Sequence, residues 1–214
     1  VIDDFSTLQI VQGGPGGGAF GPISNTVGGA GILGGSRTMS LSGSAFTNQT
    51  VSLGVGFGYA TYQSGSASSA TASLLYNGGG AGLGALLAMT QAIELTVTQF
   101  NLGAAPTTVS ITINDGSINS TQSVVLAASS ATPTNMVFDF TGSGLNFNNI
   151  SSVLLSIADG TAFGADLTLQ SLIARMTPVP EPASVALWSV LGGLSLVSIR
   201  RLRRQDASRG APLG

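Results

Sequence analysis

The sequence predicts an all-β fold, a two-sheet antiparallel β-sandwich of the jelly-roll type, followed by one C-terminal transmembrane helix. Apolar and polar residues alternate with a period of two, turn residues separate these segments at short intervals, and no convincing helical period occurs before Pro182. A 17-residue run without charge, 183–199, follows. Nine or ten short strands without a helix favour two packed sheets, and among sandwiches we favour a jelly roll.

Each predicted strand carries its own alternation. The clearest is segment 51–59, where five large apolar residues alternate with serine and glycine. One face is therefore apolar and the other nearly bare, so we expect either a covering layer of the fold or a ligand groove over the glycines. Phe57, Phe138 and Phe140 are expected in the core. The other strands are centred on Ile10, Met39, Leu74, Leu95, Ile111, Val125, Phe138, Leu155 and Leu167.

The glycine-rich segment 13–35 is predicted to be a loop region, because its glycine clusters are too flexible for a helix. It contains the spacing Gly29-x-Gly31-x-x-Gly34, which matches a dinucleotide-binding pattern in letters only. No apolar helix follows and no acidic residue lies about 20 positions further on, so we interpret it as loop. Segment 83–89 is the only stretch before Pro182 that could form a helix, and it is too short to change the fold class.

The composition excludes most catalytic classes. The chain has no Cys, His or Lys, which removes thiolate chemistry, Ser-His-Asp and Ser-Lys arrangements and the usual zinc sites. Residues 1–177 hold seven carboxylates against two arginines, a net charge of −5, which argues against nucleic-acid binding. A carboxylate-dependent glycosidase needs two facing acids. Glu94 and Asp139 are instead expected as solvated strand residues, so no enzyme activity is predicted.

Two further sites are predicted from residue type alone. Asp3 or Asp4 would approach Asp166 if the first and last strands lie side by side, and such oxygen ligands suit a structural calcium ion. The alternative is that Asp3 and Asp4 form a hydrophilic N-terminus and Asp166 is a surface residue. Tyr62, flanked by polar residues, is the candidate ligand-binding platform, since sugar rings stack on exposed aromatic rings.

The C-terminal segment has three parts. A Pro-Glu-Pro motif is followed by the uncharged run 183–199, and this run is near the short end of what crosses a bilayer as a helix. A basic cluster at 200–204 would stop translocation and leave the tail 205–214 in the cytoplasm and residues 1–177 outside. The motif residues are Val179, Pro180, Glu181 and Pro182, and the basic residues are Arg200, Arg201, Arg203 and Arg204.

This order of parts, over residues 178–204, resembles the PEP-CTERM sorting signal of Gram-negative bacteria. The resemblance implies recognition and cleavage by a membrane-embedded exosortase, a temporary anchor in the inner membrane, and association with exopolysaccharide and biofilm. An ordinary C-terminal membrane anchor is the alternative. Segment 74–176 resembles jelly-roll domains similar to carbohydrate-binding modules, through Phe138-Asp139-Phe140-Thr141, the asparagine-rich turn 146–149 and the strands near 155 and 167.

Three functions follow from these observations. The first is an exported surface or matrix protein that associates with exopolysaccharide through its jelly-roll domain. The chain begins at Val1 without Met, which fits export after removal of a signal peptide. The second is a structural, self-associating envelope protein without glycan binding, suited to low charge and exposed strand edges. A carboxylate-dependent glycoside hydrolase ranks last.

Overall fold

Two antiparallel sheets of six strands each pack against a shared core in the computed structural model, which describes residues 1–88, 90–102, 106–159 and 164–176. The predicted all-β class and the two-sheet sandwich are confirmed. The predicted sorting motif 179–182, transmembrane helix 183–199, basic cluster 200–204 and tail 205–214 lie outside the described residues. Within the described ranges, no helix has the length and apolar character that crossing a membrane requires.

Twelve strands and two short 3-10 turns make up the regular structure of the described residues. The turns are η1 (Leu33–Gly35) and η2 (Gly78–Gly80). The strands are β1 (Gln9–Gly13), β2 (Gly18–Gly28), β3 (Ser36–Ala45), β4 (Val51–Gly56), β5 (Tyr59–Ser64), β6 (Ser69–Tyr76), β7 (Thr90–Leu102), β8 (Thr107–Asn114), β9 (Asn119–Leu126), β10 (Thr134–Asp139), β11 (Ser152–Asp159) and β12 (Ala165–Met176).

The strand order is that of a jelly roll with an extension at one end. Sheet A has the order β1-β4-β5-β12-β7-β10, and sheet B has the order β2-β3-β6-β11-β8-β9. The last eight strands alone give two four-stranded sheets, β5-β12-β7-β10 and β6-β11-β8-β9, the double Greek-key connectivity that defines the jelly roll. Strands β1 and β4 then widen sheet A, and β2 and β3 widen sheet B. The jelly-roll prediction is therefore confirmed for residues 59–176.

The structure corrects two assignments in the first third of the chain. Segment 13–35 is not loop throughout, because it contains the 11-residue strand β2. This strand forms one edge of sheet B and is exposed along most of its length, so it needs no apolar alternation to be held by backbone pairing with β3. Segment 51–59 is not one strand either: a two-residue turn at Phe57 and Gly58 ends β4 and starts β5.

Every second residue of most strands points inward, and these side chains fill the space between the two sheets. Strand β8 shows this alternation most regularly, with every second residue buried. Phe138 and Phe140 lie in the core as predicted, each 1% exposed. The prediction for Phe57 is wrong, since its side chain is 91% exposed at the turn between β4 and β5. Segment 83–88 contains turns and no helix.

The outer face of sheet B carries a row of serines that crosses all six strands, here called the serine row. The strand registers place one serine of each strand beside the next. A neighbouring row has threonine pairs at both ends, and each pair is joined by a hydroxyl hydrogen bond of 2.8 Å. In spatial order the serine row is Ser24, Ser40, Ser73, Ser156, Ser110 and Ser123.

Asp115 joins the turn between β8 and β9 to the loop that precedes β11. Its carboxylate accepts hydrogen bonds from the backbone N–H groups of Ser117 at 2.8 Å, Ile118 at 2.7 Å and Asn146 at 2.9 Å. These donors stabilise the charged form and so lower the pKa of Asp115, and the hydrogen bond from Asn146 contributes most to this shift. The charged carboxylate thus links the two connecting segments through hydrogen bonds.

We expect Asp115 to contribute to acid sensitivity. Because its pKa is lower in the folded chain than in the unfolded chain, its stabilisation is present above the ordinary value of 3.8 and is lost as the pH falls through the folded value. Melting temperatures between about pH 6 and pH 2.5 should fall less steeply in Asp115→Asn than in the parent. Asp166→Asn is the control. Partial burial raises the pKa of Asp166, so removing this carboxylate should not reduce the fall in melting temperature at low pH.

Candidate ligand-binding groove

A surface groove of about 450 Å³ runs over the outer face of sheet A where the added strands β1 and β4 meet β5 and β12 of the jelly roll. Its floor is formed by Gly54 and Gly56 of β4. Side chains from the segment before β1, from three strands and from the β4–β5 turn line it: Leu8, Ile10, Phe57, Tyr59, Thr61 and Thr168. The groove therefore belongs partly to the jelly roll and partly to its extension.

The bare face of β4 creates this groove. A Cβ built on Gly54 would meet only the Thr61 hydroxyl, at 3.4 Å, so the space above it is open. A Cβ on Gly56 would meet the Leu8 side chain at 2.9 Å, so Leu8 already covers that position. The glycine face is thus covered by a side chain at Gly56 and open at Gly54.

The groove concentrates exposed apolar side chains. Leu8 is 71% exposed, Ile10 63%, Phe57 91% and Tyr59 44%. Full burial of a large apolar side chain contributes about 1.5–3 kcal/mol, and each of these side chains forgoes part of that in proportion to its exposure. Contiguous exposed apolar surface beside polar residues is typical of interaction sites. These four side chains mark the groove as the candidate binding site.

The turn that presents Phe57 holds it in an unfavourable backbone conformation. Phe57 has φ 55° and Gly58 has φ 85°, and Gly56 pairs with Tyr59, so the loop has two residues with positive φ, as in a type I′ hairpin. This turn favours Asn-Gly, and a bulky residue at positive φ is rare. The Gly58 N–H donates to the Phe5 carbonyl at 3.1 Å, which fixes the turn. Such strain clusters at functional sites.

Replacing Phe57 with asparagine should stabilise the protein and weaken the site. Asparagine tolerates positive φ, and the exposed ring contributes little to packing, so we expect a gain of about 1 kcal/mol and a melting temperature raised by about 2–4 °C. Thermal unfolding measures this, and ligand binding should fall in the same variant. Phe46→Asn, at a second exposed aromatic residue without positive φ, is the control. A lower melting temperature for Phe57→Asn would show that the ring stabilises the turn.

Hydrogen-bonding side chains lie beside the groove in a line across sheet A, here called the polar row. The registers place a residue of β1 beside one of β4, followed by one each of β5, β12 and β7. Asp166 is the carboxylate of this row, and partial burial raises its pKa. Tyr59, at the aromatic end of the groove, and Gln63, in the polar row, are four positions apart on β5, which is about 13 Å along the strand. In order the row is Gln12, Ser52, Gln63, Asp166 and Asn101.

Tyr62 is not an exposed platform, so this prediction is wrong. Its side chain is 0% exposed and faces the core, and its hydroxyl donates to Asp159 at 2.7 Å. The pKa of Tyr62 is raised, mainly because the hydroxyl is buried. The polar neighbours Thr61 and Gln63 reflect the ordinary alternation of β5, in which they face outward and Tyr62 faces inward.

Tyr59 is an aromatic residue of the groove together with Phe57, although the alternation of segment 51–59 predicts it on the apolar face of one long strand. The hairpin at Phe57 and Gly58 pairs Tyr59 with Gly56 and so places it on the glycine face. A two-residue turn inside an alternating segment reverses which positions face the core. The glycine at position 58, after a run of alternating residues, was the signal that could have located this turn.

The three aspartates proposed for calcium do not form a site. Asp3 pairs with Leu172 of β12, so the expected neighbourhood of the two ends of the domain is present. Its carboxylate, however, is 0% exposed and accepts from Arg37 at 2.5 Å, Tyr76 at 2.9 Å and the Phe5 N–H at 2.8 Å. Arg37 thus occupies the place where a cation was expected.

Asp4 and Asp166 lie elsewhere. Asp4 is exposed and accepts from the Ser6 N–H at 2.9 Å, while Asp166 belongs to the polar row. The described residues contain no group of three or more acidic, His or Cys side chains that could hold a metal ion. The calcium prediction for Asp3, Asp4 and Asp166 therefore does not hold in this geometry.

The groove lacks the acid pair that glycoside hydrolysis requires. Glu94 was expected to be solvated but is 5% exposed, and its carboxylate pairs with the Arg175 guanidinium. Asp139 is exposed and accepts from the Thr141 N–H at 2.8 Å. No acidic side chain is among the described residues that line the groove, and Asp166 is the single carboxylate of the polar row.

Fold and groove together define a class, a jelly-roll β-sandwich with an open groove and a polar row on one sheet. No protein-family model and no curated protein matches the sequence. Solved structures with similar folds include a carbohydrate-binding module of the β-sandwich superfamily, at 10% identity and a TM-score of 0.39, with 71% of this chain and 56% of that chain covered. This chain thus spans little more than half of that structure.

Two further similar structures cover more of their own length. One is a family 11 carbohydrate-binding module from Clostridium thermocellum in complex with a mixed-linked tetrasaccharide, at 11% identity and a TM-score of 0.36, covering 81% of this chain and 95% of that chain. The other is a family 11 xylanase from Neocallimastix patriciarum, at 10% identity and a TM-score of 0.39, covering 72% and 100%. Similarity at this level carries no argument about what this chain binds.

Proposed function

We propose that this chain is a non-catalytic polysaccharide-binding protein and that the groove on sheet A is its binding site. The observation that carries the proposal is the groove itself, in which Phe57 and Tyr59 are exposed beside the open floor at Gly54. Sugar rings present apolar C–H faces that stack on aromatic rings. Their hydroxyl groups need donors and acceptors close by. The polar row supplies amide, hydroxyl and carboxylate groups for them.

The cellular setting is part of the same proposal. An exported surface or extracellular-matrix protein, held for a time in the inner membrane of a Gram-negative bacterium and then processed by an exosortase, would meet exopolysaccharide and biofilm matrix as its ligand. Support comes from the sequence of residues 178–204, which resembles a PEP-CTERM sorting signal. Expression with and without the cognate exosortase tests this part. A shorter product, found only with the enzyme, is the expected result.

Affinity electrophoresis tests the binding function. The purified full-length chain, kept soluble in mild detergent, is run through native gels that contain increasing concentrations of a soluble polysaccharide. Exopolysaccharide from the producing organism should slow migration in a saturable manner, and free oligosaccharide should reverse the effect. Normal migration in every polysaccharide would remove the proposed function.

One observation favours a second candidate, a self-associating structural protein. Strand β9 forms an edge of sheet B over eight residues and carries neither a charge nor a proline, the usual protections of an edge. The opposite edge, β2, contains Pro22 and a register shift. Sedimentation of the chain without polysaccharide separates the two candidates. Self-association would be supported if the chain assembles in a concentration-dependent manner and Ser123→Lys abolishes this assembly.

A further inference from the structure

The cationic side chains of the described residues lie in ion pairs. Arg37 is 0% exposed and is paired with Asp3 at 2.5 Å, while its remaining donors reach Gln9 and the Thr7 carbonyl, each at 2.9 Å. Arg175 is paired with Glu94. These are the two cationic side chains of residues 1–176. Arg175 is 55% exposed, but neither arginine is among the residues that line the groove or form the polar row, so no cationic side chain of the described part lies there to hold a carboxylate or sulfate on a ligand.

The charge beside the groove is negative. Asp166 stands in the polar row with Gln63 on one side and Asn101 on the other, and its side chain is exposed on the outer face of sheet A. Neither neighbour carries a charge that could offset it. A carboxylate on a ligand that followed β5 from Tyr59 toward Gln63 would come close to this group, and like charges brought together across a binding site are repelled.

From this charge distribution we infer that the groove selects uncharged polysaccharides and that Asp166 is the residue that rejects acidic, uronate-bearing chains. The inference rests on the proposed function, because it names the ligand class of the same groove. Neutral hydroxyl groups can donate hydrogen bonds to the Asp166 carboxylate, and charge-assisted bonds of this kind are stronger than neutral ones. The same group thus attracts a neutral chain and repels an acidic one.

A polymer pair that differs only in charge tests the inference. Affinity electrophoresis first identifies which of hydroxyethylcellulose, β-1,4-galactan, galactomannan and xylan slows the full-length chain. The primary hydroxyls of a bound polymer that carries them are then oxidised to carboxylates, and the affinity is measured again. We expect binding to weaken about tenfold or more at low salt, with part of the loss recovered at high salt because exposed charges are screened. Binding of the unoxidised polymer should not depend on salt.

Two variants assign the selectivity to one residue. Asp166→Asn removes the charge and should bring the affinities for the native and oxidised polymers to within about threefold of each other. Asp139→Asn makes the same chemical change on β10, at the opposite edge of sheet A, and should leave the original ratio intact. The ratio of affinities is the measured quantity, so a uniform loss of binding in a variant does not imitate the result.

The outcomes separate this inference from the function on which it rests. Equal or tighter binding of the oxidised polymer, or binding only to polygalacturonate and alginate, would overturn neutral selectivity while leaving polysaccharide binding in place. A reduced ratio in Asp139→Asn as large as in Asp166→Asn would overturn the role of Asp166. If the chain binds no polymer, neutral or acidic, both proposals are overturned.

Discussion

Asp3→Asn should lower the free energy of unfolding by about 3–5 kcal/mol, the usual cost of removing one partner from a buried ion pair. The amide would leave the Arg37 charge in the core without a counter-charge, since both groups are 0% exposed. For a domain of this size the melting temperature should fall by about 10 °C. Thermal unfolding followed by circular dichroism measures the effect.

The neighbouring residue is the matched control. Asp4→Asn makes the same chemical change at an exposed position, and asparagine can still accept the Ser6 N–H, so its effect should stay within about 0.5 kcal/mol. The double variant Asp3→Asn with Arg37→Met should cost less than the two single changes added together, because the stranded charge is removed. Additive losses would show that the two side chains act independently.

Tyr59→Ala should weaken polysaccharide binding about 30-fold, which corresponds to about 2 kcal/mol for a central aromatic anchor. Tyr59 lines the groove, is 44% exposed and does not belong to the buried core, so the truncation mainly removes a stacking surface. Affinity electrophoresis with the bound polysaccharide gives the loss of affinity. The melting temperature should change by no more than about 2 °C.

Phe46→Ala provides the comparison for the aromatic anchor. Phe46 is 65% exposed and is not among the residues of the groove, so its loss should leave binding unchanged. Gly54→Val offers an independent route, since a side chain at this open position would fill the floor without backbone strain. Binding that survives both Tyr59→Ala and Gly54→Val would place the polysaccharide elsewhere on the protein.

Most of the jelly roll was predictable because its strands are buried on one face. Residues such as Ile111 and Leu155 repeat with a period of two, and this period is imposed by the pleat of a half-buried strand. Strand β2 was not predictable in this way. Its side chains are mostly in water on both faces, so backbone pairing with β3 holds it and leaves no trace in the apolar pattern.

The site was less predictable than the fold, because it depends on contacts between distant segments. Asp3 looked like a metal ligand until Arg37, 34 positions away, was placed against it. Tyr62 and Tyr59 exchanged roles because of one hairpin, whose first turn residue is the unusual Phe57. The alternation of β4 did indicate a bare face, and the groove lies there. What the pattern alone lacked was the position of the turn.

The serine row gives this protein a way to remain hydrated without charge. Each hydroxyl both donates to and accepts from water, and none of them ionises over the ordinary range of acidity. Water bound to this face is therefore indifferent to acid and to salt, whereas proteins that rely on charge for dispersal precipitate near their isoelectric point or at high ionic strength. Such a surface would keep the protein dispersed over a wide range of acidity and salt concentration.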